Sequence, residues 1–326
     1  QILTTVTVSI ALLLDMRRPD EYLKYFKGIL YLYIVLTYLS ILLVPGAIDP
    51  KHLTWRGLTV GKNYLGQTAL VSILFWIYSL KTASGKKKAI YLLMAALSVI
   101  LLIGAFSMSS ILTFALLVFV GVLLAIDRLI ESIRVGRVFS GAIFASSLLL
   151  VFSFYYFAPD LVNSGFNEVG KDASFTGRTF LWADIFQIAE KHLLVGCGFS
   201  GFWVVESNAL YRLYEKYVWL PNEAHEGYLD ILNETGIIGI FLLFLMIFFY
   251  FRRLSKLETP HFGKWFIITI MILNLQESTL FRQNVLTGVL FIFFYLVLQN
   301  ELFFREHYPE RSAEGGDVLP HQLNKL

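Results

Sequence analysis

Nine apolar runs, at about residues 2–14, 29–45, 64–80, 89–106, 111–126, 138–157, 236–251, 265–276 and 285–299, punctuate this chain of 326 residues. A helix crosses a hydrocarbon core of about 30 Å with about 20 mainly apolar residues. Backbone polar groups in lipid must be paired within the chain, which helices do by themselves. The runs therefore predict an all-α integral membrane protein, a polytopic helical bundle. Composition agrees: 56% of the residues are hydrophobic and 16% charged, where an average soluble domain carries roughly a quarter charged residues. So few charges cannot cover a soluble globule, which excludes an ordinary cytosolic enzyme, a disordered chain and a fibrous protein. The net charge of +3, with no basic stretch interleaved with aromatics, disfavours nucleic-acid binding. One cysteine, Cys197, excludes a disulfide framework and a cysteine-based zinc site; it reads as a small packing residue.

Lysine and arginine in the linkers orient the bundle. Segments 15–27, 81–88, 127–137 and 252–264 hold 4, 4, 3 and 4 of them, whereas 46–62, 107–110 and 277–284 hold 3, 0 and 1. Positive charge stays cytoplasmic, so the first set faces inward. The long segment 158–235 then lies outside, with 5 basic and 11 acidic residues. Loops of that length are usually functional or disordered, and its aromatics and helical periodicity argue for function. Four regions follow: N-terminal transmembrane helices over 1–157, an outer loop over 158–235, C-terminal transmembrane helices over 236–299 and a polar cytoplasmic tail over 300–326. Residue 1 is Gln and the first run is short, so the chain is read as starting inside a longer bundle.

The outer loop contains three informative pieces. Residues 178–191 place Leu181, Trp182, Ile185, Ile188 and Ala189 at helical spacing. Thr176 is the expected N-cap, which puts Arg178 in the first turn, where free N–H groups and the dipole favour anions. An arginine there is either an anion ligand or an interfacial snorkeller. Gly196, Gly198 and Gly201 then permit a tight turn and close backbone approach. Finally, Asn222 is the expected cap of a helix leading into the run at 236. On that helix His225, Tyr228, Leu229 and Leu232 share one face, and Glu226, Asp230, Asn233 and Glu234 mark a polar side. Desolvation and the helix dipole should hold His225 neutral, the form a general base requires. Trp182, Trp203 and Tyr228 are candidate groove-lining residues. At the same face stand Arg56, Lys62 and Asn63, and Glu277 and Arg282. Glu277 follows Asn274 and Gln276 in an apolar run, a depth at which polar groups face the bundle interior.

Several chemistries lack their motifs. There is no D-x-D pair, no H-E-x-x-H, no histidine pair at metal-ligand spacing and no G-x-S-x-G elbow. Neither a metal nor a cofactor is expected. No internal repeat of the transporter kind is present, although a lipid-linked sugar transporter or flippase is an alternative from another class.

The ordered set Trp55-Arg56-Gly57, Lys62-Asn63-x-Leu65-Gly66, Ser107-x-Ser109, Gly177-Arg178-Thr179-x-Leu181-Trp182, Gly196-x-Gly198-Phe199-x-x-Phe202-Trp203, Ala224-His225-x-Gly227-Tyr228-Leu229-Asp230, Gly236-x-x-Gly239 and Glu277-Ser278 resembles the O-antigen ligase/Wzy polymerase superfamily. Within it the set is most similar to the ExoQ-like exopolysaccharide polymerases. The resemblance runs from about residue 50 to 299. It implies a metal-independent, inverting glycosyltransferase of the C-type membrane class, with a large, partly helical periplasmic loop, in the bacterial inner membrane. The implied donor is an undecaprenyl-diphosphate-linked oligosaccharide and the implied acceptor a growing glycan, or lipid A core in the ligases. A chain-length regulator and a flippase of the export pathway are implied partners; nucleic acid is not. Carried over, the histidine that activates the acceptor hydroxyl is His225, and the arginine that holds the diphosphate is Arg178. Two positions depart from the family. Ser110-Ile111 stands where the ligases carry another arginine, which leaves Arg56 or Lys62 as the second cation. Glu226 replaces the usual asparagine after the histidine and is expected to orient His225 or bind acceptor sugar.

Overall fold

The computed structural model describes residues 19–130, 174–203, 207–217, 220–256, 262–282 and 286–307. Within them the helices are α1 (Pro19–Leu43), α2 (Lys62–Leu80), α3 (Gly85–Ala105), α4 (Met108–Ile130), α5 (Ser174–Ala189), α6 (Asn208–Lys216), α7 (Gly227–Leu254), α8 (Phe262–Leu273) and α9 (Leu286–His307). One turn of 3-10 helix, Glu190–His192, follows α5, and no strand occurs among the described residues. The protein is an all-α, multi-pass membrane protein. Glu21–Leu43, Gly85–Ala105, Gly227–Leu254 and Leu286–Phe303 are each long and apolar enough to cross a membrane, and Met108–Val122 and Phe262–Leu273 are shorter apolar helices. Seven of the nine expected runs coincide with helices. Those at 2–14 and 138–157 lie outside the described residues, as does the tail beyond 307.

Helix α2 shows why hydropathy alone underrates some elements. It carries Gln67, Thr68, Ser72 and Ser79, all buried, because it is enclosed by other helices instead of lipid. Two of them find partners across a helix interface, Thr287 of α9 donating to Gln67 at 3.1 Å and Ser72 pairing with Ser98 of α3 at 2.9 Å, while Thr68 donates to the Tyr64 carbonyl of its own helix at 2.9 Å. Buried polar groups must be matched in this way. Around them an aromatic cluster of Phe26, Phe75, Phe262, Phe266 and Phe294 joins α1, α2, α8 and α9, with ring centroids 4.6–5.3 Å apart.

At one end of the bundle the linkers gather. Trp55 lies on α3, its N–H donating to the Gly104 carbonyl at 2.8 Å. A Cβ on Gly104 would fall 2.3 Å from the indole. Gly57, at φ +55°, abuts Thr37 of α1. The Trp-Arg-Gly motif thus seats the α1–α2 linker, and the start of α2 follows from it.

The longest helix, α7, is broken at Gly236, whose φ of 67° and ψ of −168° lie in a region open essentially to glycine alone. The break frees backbone groups that the turn after α5 takes up. Cys197 and Gly198 donate to the carbonyls of Asn233 and Glu234, both at 3.0 Å, while Ile237 and Ile238 donate to those of Leu193 and Leu194 at 2.8 and 3.2 Å. The expected close approach of the glycine turn is therefore an approach to α7: a Cβ on Gly196 or on Gly236 would lie 2.3 Å from the opposing backbone. Cys197 is exposed, so its contribution is its N–H rather than side-chain packing. Gly236→Ala should destabilise the protein by at least about 1–3 kcal/mol from conformation alone. A lowered thermal-unfolding midpoint in detergent checks this; an unchanged midpoint would mean that the break is not needed.

Candidate active site

Glu277 is the hub of the site. It lies on the α8–α9 linker, 3% exposed. Helix α8 ends at Leu273, before Asn274, whose Oδ1 accepts from the N–H and hydroxyl of Thr279 and the N–H of Leu280. That turn aims Glu277 inward. Its Oε1 accepts from Asn63 at 2.9 Å and Ser109 at 3.2 Å, and lies 3.6 Å from Arg178 Nη2. Its Oε2 is 3.3 Å from His225 Nδ1. One carboxylate thus collects groups from α2, the start of α4, α5 and the segment before α7. Arg178 also donates to the Gln276 carbonyl at 3.2 Å, and Lys62 is near enough to feel the charges of both Arg178 and Glu277. A buried carboxylate is costly unless matched by charge and hydrogen bonds, and here it has both. Gly66 admits the α4 start, since a Cβ there would sit 2.5 Å from Ser107.

His225 departs from its expected setting. The helix begins at Gly227, capped by Glu226, whose side chain accepts from the Leu229 N–H. Asn222 is therefore not the cap, and His225 precedes the helix with a left-handed φ of 53°. It does not share the Tyr228–Leu232 face. Its Nδ1 lies 3.0 Å from Glu223 Oε1 as well as 3.3 Å from Glu277 Oε2. Burial pulls the imidazole pKa down, and Arg178 adds to that, but the hydrogen bonds to Glu223 and Glu277 and the Glu223 charge outweigh both and hold it at about 9. The expectation of a neutral histidine fails because two carboxylates distant in sequence face it. A carboxylate on Nδ1 fixes the proton there and makes Nε2 the basic nitrogen. Glu223 is the site residue that sequence reasoning missed; its position two residues before the histidine was the available signal.

Arg178 is likewise shifted. Helix α5 begins by Ser174, so Thr176 is inside it and Arg178 lies beyond the first turn. Its place in the site comes from Gln276 and Glu277 rather than from free N–H groups at a helix start.

The other candidates divide by location. Asn63 and Lys62 join the cluster. Arg56 is ion-paired with Asp49 of its own linker, whereas Lys62 is within electrostatic reach of Arg178 and Glu277. Arg282 pairs with Asp230 and Glu234, both at 2.9 Å. Trp182 donates to the Ala224 carbonyl at 2.8 Å, and Trp203 to Asp230 at 2.8 Å. Tyr228 donates to the Met271 carbonyl at 3.0 Å and stacks on Phe244. Each of these three aromatics is thus hydrogen-bonded through its polar tip. Glu226 caps α7, and burial raises its carboxyl to about 7, against the pull of the Leu229 and Tyr228 N–H groups. Orienting the histidine falls to Glu223 and Glu277 instead.

Glu223, His225 and Glu277 each offer a donor atom, all within 4.8 Å of one another. The donor types suit a divalent cation. However, Arg178 already balances Glu277, and the carboxylates share the imidazole proton, so the set is better matched as a hydrogen-bonded ion cluster.

Comparison with known proteins finds sequence likenesses over part of the chain. A family model described as O-antigen ligase matches residues 90–244. The chain is 33% identical over 103 residues to the exopolysaccharide production protein ExoQ of Rhizobium meliloti, covering 30% of this chain and 23% of the relative. It is 26% identical over 197 residues to a protein of Rickettsia felis named "Putative polysaccharide ligase", covering 60% and 47%. A protein of similar name from Rickettsia conorii is 28% identical over 198 residues, covering 60% and 46%. The chain thus spans less than half the length of these curated relatives. No solved structure matches it. Over residues 90–244 the chain is thus similar to the O-antigen ligase family, and over 103 residues to ExoQ.

Proposed function

We propose that the protein is a glycan polymerase of the bacterial inner membrane, joining undecaprenyl-diphosphate-linked oligosaccharide repeat units into exopolysaccharide, capsule or O-antigen at the periplasmic face. The observation that carries this reading is the convergence of Arg178, Lys62 and His225 on Glu277 at the end of the bundle. The acceptor hydroxyl gives its proton to Nε2 of His225 while its oxygen attacks the anomeric carbon of the donor sugar. The bond from that carbon to the diphosphate breaks on the opposite side, which inverts the anomeric centre. Arg178 takes the diphosphate oxygens with its planar fork, and Lys62 adds a point charge. A diphosphate is already a good leaving group, so stabilising its charge is the protein's main task. No metal is required in this scheme.

A membrane groove of about 560 Å³ is lined by Phe26, Leu30 and Tyr33 of α1, Tyr64 of α2, and Leu290 and Phe293 of α9. Tyr64 is also within electrostatic reach of Glu223 and Glu277. An apolar groove along three helices, with Tyr64 in its lining, suits the polyprenyl tail.

With the His225 pKa at about 9, roughly 1% of the imidazole is neutral at pH 7. As the base must be neutral, kcat/KM should rise with pH up to about 9. Glu223→Gln removes one of the interactions that raise the value, so the rising limb should move to lower pH. An unmoved limb would show that His225 is not the group being titrated.

The same chemistry with a different acceptor gives a ligase. Purified protein in liposomes, supplied with one lipid-linked repeat unit, should build a ladder of products without a second acceptor. Product only when lipid A core is added would make it a ligase. Movement of intact substrate across the bilayer, with no new bond, would make it a transporter.

A further inference from the structure

We propose that Asp230 is a positioning residue that sets His225 against Glu277, an inference that rests on the polymerase reading of that site. Asp230 lies in the first turn of α7 and is 2% exposed. It touches neither functional side chain. Instead it holds the residue next to each. Its two oxygens accept from the Ala224 N–H, at 3.3 and 3.1 Å, immediately before His225. Its Oδ2 also accepts from the Ser278 hydroxyl, immediately after Glu277. These segments lie about 50 positions apart in sequence and meet on this one carboxylate. The left-handed backbone of His225 costs free energy that neighbouring contacts must offset, and the Ala224 anchor is one of them.

Asp230 is in turn fixed from two other directions. Trp203 donates to Oδ1 at 2.8 Å, and Arg282 lies 2.9 Å from Oδ2. Arg282 extends the chain to Glu234 at 2.9 Å, and Glu234 accepts from the Ser200 N–H at 2.9 Å. The glycine turn that splices the α7 break is thereby tied to the same carboxylate. This gives Arg282 and Trp203 a common purpose: they hold the holder. A catalytic pair misplaced by about 1 Å loses roughly a hundredfold in rate, so a residue that fixes their separation acts on turnover more than on donor binding.

The test is Asp230→Asn in the full chain, with Ser278→Ala as a milder variant that removes a single arm. In proteoliposomes Asp230→Asn should lower kcat roughly 10- to 100-fold and leave the donor KM within about threefold. Added to His225→Ala, it should cost little more, because its effect passes through His225. A multiplicative loss in that background, or an unchanged kcat, would overturn the proposal. A second readout does not need turnover: the pH midpoint for diethyl pyrocarbonate modification of His225, read by mass spectrometry of its peptide. It should fall in Asp230→Asn, and in the same direction in Ser278→Ala, as the Glu277 contact loosens. A midpoint equal to that of the unsubstituted protein would refute positioning. If the unsubstituted protein forms no polymer while the midpoint shifts as stated, the functional reading fails and the positioning role stands.

Discussion

Replacing His225 with alanine should lower polymer formation roughly 10²- to 10⁴-fold, the usual contribution of a placed general base. The protein should still enter the membrane, since the imidazole pairs with Glu223 and Glu277 in the segment before α7 and not within an apolar run. The remaining rate reports what charge stabilisation by Arg178 and Lys62 does without a base. Removing the imidazolium also leaves Glu223 and Glu277 facing each other with less positive charge between them, which should weaken binding of the anionic donor. A fall in kcat with a modest rise in donor KM is the expected pattern. Unchanged yield and chain length in a strain lacking the native protein would remove His225 from the mechanism.

Arg178→Lys should cost roughly 10²- to 10³-fold, comparable to losing one donor of a preorganised anion site. The charge is kept, so long-range attraction is nearly the same. What disappears is the planar fork, and with it the simultaneous approach to the Gln276 carbonyl at 3.2 Å and the Glu277 carboxylate at 3.6 Å. A lysine offers a point charge that cannot hold both and also meet a diphosphate. Near-normal turnover in Arg178→Lys would assign the arginine to anchoring α5 at the membrane surface.

Much of the architecture was legible in the chain because a helix in lipid must be apolar for about 20 residues, and that signal survives without any partner. The interior depth of Glu277 was legible for the same reason, since a carboxylate beside Asn274 and Gln276 in an apolar run has nowhere favourable to go but inward. The ends of helices were less so. Asn222 and Thr176 are good caps by residue type, but α7 takes Glu226 and α5 begins by Ser174. Tertiary contacts decide the start of α7: Asp230 and Trp182 hold the segment before it through Ala224. The charge state of His225 was illegible, because it depends on Glu277, 52 positions away. Trp182, Trp203 and Tyr228 give their polar tips to carbonyl and carboxylate oxygens, as aromatic donors usually do when buried, partners that no local pattern foretells.

In the proposed reaction the site joins glycans by displacing a lipid diphosphate, with His225 taking the acceptor's proton. The direct measurement is lipid-diphosphate release by purified protein in liposomes, with chelator present and nucleotide absent, alongside the anomeric configuration of the new bond. One lipid diphosphate released per bond formed, inversion at the donor carbon, and loss of both signals in His225→Ala are the expected results. Release that needs a metal or a nucleotide sugar, retention of configuration, or equal release by His225→Ala would contradict it.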